Sequence, residues 1–221
     1  MTDETTREYE FAMSGFMPLI MHADSIEGSD ELQEWRKSPA NKGVTVPGDD
    51  RSPAWTWQTY LYSDETLVTI PADNIMVALR QAGAQLTLKK QKTFKEATQS
   101  GLVIPAEHCD FFCSGKPVQM SDIRELRELT YSQQAAAVQT LGFQLFAKRA
   151  RVGMAKHIRV RPRFRNWAVQ GVISANRPEI TDEVLSQLFA LAGKCGLCDW
   201  RPAGKTPGPY GQFSAVVKRM K

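Results

Sequence analysis

Between Lys148 and Arg165 the chain reads KRARVGMAKHIRVRPRFR, with eight Lys or Arg, His157, and no acidic residue. Its second half alternates, Arg159, Arg161, Arg163 and Arg165 on one parity and Ile158, Val160, Pro162 and Phe164 on the other. A period of two is that of a strand, so an extended chain here has an arginine face and an apolar face. A core can bury the apolar face. Four like charges in a row repel unless something anionic lies against them. A phosphate backbone repeats its charges at a comparable interval, and the guanidinium fork fits phosphate oxygens. The stretch is therefore suited to a polyanion, with Lys148, Arg149, Arg151, Lys156, Arg159, Arg161, Arg163 and Arg165 as contacts. The other reading is an edge strand kept soluble by charge, although solubility devices usually mix signs and this one does not. A second basic run, Lys89, Lys90 and Lys92 with Lys95, reads as a further phosphate contact or as a solvated loop.

Other chemistry finds less support. Cys109-x3-Cys113 and Cys195-x2-Cys198, with His108 adjacent, can be drawn as a zinc site. Only the second spacing is right, and reduced, partly buried thiols are the better reading, so no metal and no cofactor is expected. No Walker motif, no GxGxxG after a strand, no Ser/His/Asp signature and no carboxylate pair at metal-ligand spacing occurs. The 221 residues carry a formal charge of only +4, unevenly spread. Residues 1–50 hold four basic and eleven acidic side chains, residues 51–221 hold 24 and 13. That asymmetry favours a basic surface for a polyanion and, separately, an acidic region; opposite patches on one molecule also permit head-to-tail self-association into filaments. No apolar run approaches a membrane span, and the acidic start MTDETTREYE is no signal peptide, so the cytoplasm is the expected compartment.

These residues need elements to hold them. Alternation around Tyr9, Phe11 and Met13 predicts a first strand near 8–17, followed by a loop with His22 and Asp24. A short helix is predicted over 26–37, acidic early and basic late. Pro, Gly, Asn and Asp then mark a surface loop from Ser38 to Pro53. A short strand over 67–70, a helix from Pro71 to about Leu86, short strands around a Ser114-Gly115 turn, and partly helical structure over 122–141 come next. The basic ribbon reads as a projecting hairpin with its break at Gly153. At the C-terminus, a strand over 167–174, a helix capped by Thr181, the loop GLCDWRPAGKTPGPYGQF and a strand over 213–217 make half of a split βαβ, or ferredoxin-like, fold. Gly204, Gly208 and Gly211, with Lys205, are read as offering N–H groups and charge to phosphate, and Tyr210 a ring for stacking on a base.

The ending G…RP…GPYGQF before a last strand resembles the C-terminal half of the RAMP superfamily, the RRM-like proteins of CRISPR effector complexes. The first strand with the helix after PLIMHAD is similar to the other half. The resemblance covers about the first 25 residues and the last 55; similar stand-alone proteins occur in phages and mobile elements. It implies an α+β chain with an RRM/ferredoxin-like core: one domain over 1–221, with inserted segments at about 38–54 and 87–141 and a basic β-hairpin comparable to the thumb of backbone subunits. It also implies a sequence-tolerant protein for single-stranded RNA or DNA, RNA before DNA, oligomerising along the strand with other effector-complex subunits as partners. Repeat-processing ribonucleases of that superfamily place a histidine after the first strand, and some backbone subunits cut with an aspartate there. His22 and Asp24 are thus the catalytic candidates, His22 as a neutral imidazole taking a 2′-OH proton without metal. A third expectation is a structural protein whose ribbon docks on the acidic region of a neighbour.

Overall fold

The computed structural model describes residues 6–44, 48–152 and 154–221; the side chains of Arg151, Val152, Ala155 and Lys156 lie outside the described ones. In chain order the elements are β1 (Arg7–Gly15), β2 (Leu19–Ile20), α1 (Ile26–Lys37), β3 (Thr69–Pro71), α2 (Ala72–Gly83), β4 (Thr87–Lys89), β5 (Lys92–Thr93) and α3 (Lys95–Gly101). Then follow β6 (Leu102–Val103), β7 (His108–Cys113), α4 (Met120–Glu125), α5 (Tyr131–Thr140), β8 (Gln144–Val152), β9 (Ala155–Phe164), β10 (Trp167–Ala175), α6 (Asp182–Cys195) and β11 (Phe213–Arg219). Short 3-10 turns occur at Pro39–Asn41 and Thr56–Tyr60. The elements fall into two compact units, one of residues 1–19, 69–117 and 165–221, the other of 20–68 and 118–164.

The first unit is a mixed α+β sheet domain. Its strands run in the order β11-β1-β10-β7-β3, with β6 also on β10, and the described pairs are antiparallel. Taking β1, α2, β7, β10, α6 and β11 in turn gives strand-helix-strand-strand-helix-strand, and the sheet places the fourth strand beside the first, then the third, then the second. That is the ferredoxin-like, or RRM-like, arrangement. Strand periodicity produces it: Tyr9, Phe11 and Met13 of β1 are buried while Glu8, Glu10, Ala12 and Ser14 between them are exposed. On the buried side, Leu185, Leu188 and Phe189 of α6 and Ile75, Leu79 and Ala82 of α2 supply the apolar stripes, and the Phe11 and Phe189 rings lie 5.3 Å apart.

The first crossover helix is not the one expected. The sequence pointed to 26–37, a helix that is observed with those bounds but belongs to the other unit. The reason is its lack of an apolar stripe. Only Gly28 of α1 is buried, whereas α2 buries Ala72, Ile75, Ala78, Leu79, Ala82 and Gly83 and can lie beside α6. The second unit is made of residues 20–68 and 118–164.

The second unit has β2, β9 and β8 as a three-stranded sheet, with α1, α4, α5 and the Thr56–Tyr60 turn. Trp57, Phe143 and Phe164 form its centre, the last two stacked at 4.8 Å. The fully buried Gln134 accepts from Trp57 Nε1 at 2.5 Å and donates to Leu129 O at 2.8 Å, so both polar ends of the amide are satisfied. No described helix is long and apolar enough to cross a membrane.

The tightest helix-to-strand approach in the first unit sits at Gly193, where an added Cβ would lie 2.0 Å from Phe213 O. We expect Gly193→Ala to lower stability by about 1–3 kcal/mol in urea unfolding followed by circular dichroism. Gly43→Ala, whose methyl meets nothing within 4 Å, should stay within about 0.5 kcal/mol of wild type.

Candidate nucleic-acid interface

The ribbon is a hairpin. Residues 144–152 pair antiparallel with 155–163, with Lys148 opposite Arg159, Phe146 opposite Arg161 and Gln144 opposite Arg163. The arginines of alternating parity do share a face, but that face is not uniform. Midway along the hairpin the 48–50 segment runs along β9: Ile158 N donates to Gly48 O at 2.8 Å and Asp50 N to Ile158 O at 3.0 Å. This places the Asp50 carboxylate, 3 % exposed, against three donors: Arg161 Nη1 at 2.8 Å, Arg159 Nη1 at 3.1 Å and Val160 N at 3.1 Å.

Arg161 is therefore a buried residue, not a surface contact, and the expectation that it meets phosphate is corrected. It is 4 % exposed, its guanidinium lies 4.0 Å over the Tyr60 ring, and its Nη2 stands 3.2 Å from His22 Nε2. A guanidinium has only donors, so in this contact His22 Nε2 accepts, leaving the proton of a neutral ring on Nδ1. Burial first, then the Asp50 charge, holds the Tyr60 phenol above its ordinary pKa. Next to this cluster Asp49 binds Arg51 through both oxygens, and that hydrogen bond holds its carboxyl below the usual range.

Arg159 keeps about a third of its side chain in solvent while bonded to Asp50. Arg163 donates to Gln144 Oε1 at 2.7 Å and lies 4.5 Å from the Phe146 ring. Lys148 and Arg149, opposite Arg159 and Ile158, are exposed, and Arg165, in the first unit, is exposed as well. Asp50 and Tyr60 were not anticipated. The only signal for Asp50 was an acidic pair, Asp49-Asp50, inside a Gly- and Pro-rich loop, more than a hundred residues from its partners.

In the first unit the lysine run forms its own small ribbon, β4 with β5, where Lys89, Lys90 and Lys92 are all exposed. The glycine loop differs from its expected role. Gly204 N and Gly208 N both donate to Arg201 O, at 3.0 and 3.4 Å, and Gly211 N to Pro18 O at 2.8 Å. Those amides are spent within the protein. Gly211 has φ +72° and an added Cβ would meet Leu197 O at 2.1 Å, so the glycine serves close backbone packing. Lys205 is exposed, and Tyr210 is half-buried with its ring 6.3 Å from that of Trp200.

The sheet face opposite α2 and α6 is informative. Its central strands present Glu8, Glu10, Ala12 and Ser14 from β1 and Ala168, Gln170, Val172 and Ser174 from β10. An RRM that stacks bases does so on aromatics of its sheet; these positions hold two carboxylates and no ring.

His22 and Asp24 meet at one place in the second unit, a cavity of ≈ 360 Å³ also lined by Asp30, Thr59 and Tyr60. The His22 ring stands edge-on to Tyr60 at 4.9 Å, and its carbonyl accepts from Tyr62 Oη at 3.0 Å. Asp24 is exposed beside Ser25, which caps α1 by accepting from Gly28 N at 3.0 Å. Cys109, Cys113, Cys195 and Cys198 are free thiols; burial pushes Cys109 up to about 11. Among the described residues no group of three or more His, Cys, Asp or Glu could hold a metal.

The strand order thus defines an α+β chain with an RRM/ferredoxin-like core, and its basic hairpin is seated on an acidic loop. No protein-family model matches the chain, and no curated protein does. Among solved structures it is similar to the crystal structure of Cmr6 from Pyrococcus furiosus, at 9% identity and TM-score 0.38, over 98% of this chain and 100% of that one. The fold class rests on the strand order rather than on this likeness.

Removing the Asp50 carboxylate leaves Arg161 buried without its counter-charge. Asp50→Ala should cost about 3–5 kcal/mol in thermal or urea unfolding, with faster amide exchange at Ile158 and Val160. Arg51→Ala, which breaks an ion pair with a half-exposed arginine, should cost about 1 kcal/mol or less.

Proposed function

We propose that the chain binds single-stranded nucleic acid, RNA before DNA, through its backbone and with little sequence readout. In this reading it is a cytoplasmic RNA-binding subunit of a CRISPR-type ribonucleoprotein complex that repeats along the strand. The carrying observation is the hairpin. Asp50 pairs with Arg159 and Arg161 on β9, and on the facing strand Lys148 and Arg149, opposite Arg159 and Ile158, are exposed. A charged ribbon held at its middle by a buried ion-pair cluster is a pre-organised polyanion contact, which limits the ordering cost of binding. On the open face of the sheet β1 and β10 carry no ring, Phe112 standing on the neighbouring β7, which supports backbone binding over base stacking on the central strands. Arg159 and Arg163 are further candidates on the hairpin, and Arg151 and Lys156, whose side chains lie outside the described ones, are candidates from the sequence. The β4–β5 lysines, Arg165, Lys205 and Tyr210 are its candidates in the first unit.

The test is fluorescence anisotropy of a labelled oligo-U and a mixed-sequence strand over a salt series. Both should bind alike, with log K falling by about 0.7 per decade of salt for each phosphate contact, and Lys148→Ala/Arg149→Ala should flatten that slope by about 1.4. Binding that ignores salt, or an unchanged slope in the double variant, would remove the hairpin from the interface.

One observation favours a second reading, metal-independent RNA cleavage. His22 and Asp24 line the same cavity, and His22 takes a proton at Nε2 only once that atom gives up its contact with Arg161. Cleavage of single-stranded RNA in EDTA should then disappear in His22→Ala; RNA left intact by the wild-type chain in EDTA sinks this reading.

A further inference from the structure

The second unit has a second built surface, unlike the hairpin in charge. Trp35, Pro53, Ala54, Trp55 and Leu129 line a groove of ≈ 440 Å³, rimmed by Glu31, Glu34 and Glu128. Its chemistry is displayed internally. Arg127 lies 4.1 Å over the Trp55 ring and is paired with Glu31, so one guanidinium already sits between an indole and a carboxylate. Trp35 remains half-buried, and Glu34 and Glu128 are exposed. Indole faces and carboxylates together select for a further cationic side chain and against phosphate.

The same chain carries the matching chemistry. Lys148 and Arg149 are exposed on the hairpin, none of whose residues lines the groove, and the Thr56–Tyr60 turn packs against both α1 and β9. Complementary patches at different places on one molecule join head to tail. We propose that the Trp35 groove is the docking site for the basic hairpin of a second copy of this chain, an association that a polyanion on the hairpin would displace. This inference stands on the groove and on charge complementarity, independently of whether the polyanion is RNA.

Sedimentation velocity on the nuclease-treated full chain tests it. The wild-type mass should rise with concentration at low salt and return to monomer at high salt. Glu34→Lys/Glu128→Lys and Lys148→Glu/Arg149→Glu should each weaken association by about tenfold or more. An equimolar mixture of the two variants should associate again, because each supplies the other's missing charge; that also establishes that both are folded. A wild-type chain that stays monomeric overturns the proposal, including where it captures a polyarginine peptide, since the groove then belongs to a foreign basic partner. Association that survives either reversal, or a mixture that stays monomeric, overturns it as well. Oligonucleotide binding is followed in the same samples. Its absence from wild type and from the groove variant removes the nucleic-acid reading and leaves this one standing.

Discussion

The second unit is organised around one buried carboxylate. Asp50 is almost wholly withdrawn from water, and a charge so placed is tolerated only when donors surround it. Arg161, Arg159 and the Val160 amide are those donors. The consequence runs both ways along the chain. The loop is held beside β9, and the hairpin is fixed at its middle. Arg161 in turn orients Tyr60 and His22, so the wall of the ≈ 360 Å³ cavity and the seat of the hairpin are set by the same group.

That arrangement divides the arginine ladder by function. In the sequence the alternating residues look equivalent; in the structure they meet different surroundings. Arg161 is structural, Arg159 is shared between Asp50 and solvent, and Arg163 lies against Phe146 with Gln144 as acceptor. Like charges opposite each other on a sheet destabilise it. The register sets Lys148 across from Arg159, and Asp50 bonded to Arg159 offsets that repulsion where it is strongest. The exposed basic surface of the hairpin is therefore narrower than the run of basic residues.

Local periodicity was legible wherever packing agreed with it. β1, α1, α6 with its Thr181 cap, the hairpin and β11 all occur near their expected bounds, because alternation and capping are encoded within a few residues. Two things were not legible. One was which helix crosses the sheet, since that depends on α2 having a deeper apolar stripe than α1, a comparison between distant segments. The other was the fate of polar groups. Gly204, Gly208 and Gly211 look available for phosphate until their N–H groups are found bonded to Arg201 and Pro18 carbonyls, and nothing local marks Asp50 as the partner of residues 109 and 111 positions away.

The charge asymmetry of the sequence also changes meaning once partners are known. Segment 20–68 holds nine acidic and four basic residues, and segment 118–164 three acidic and nine basic. Read as a total, this is a dipole across the second unit. Much of it cancels internally, through Asp49 with Arg51, Asp50 with Arg159 and Arg161, and Glu31 with Arg127. These pairs are short-range and weaken any far field. The exposed charges include Glu34 and Glu128 at a tryptophan-lined groove and Lys148 and Arg149 on the hairpin, but also Glu27, Asp30, Arg36, Lys37, Lys42, Asp122, Arg124 and Glu125. Both signs are therefore spread over the surface of this unit, and its net charge is a poor guide to any one patch.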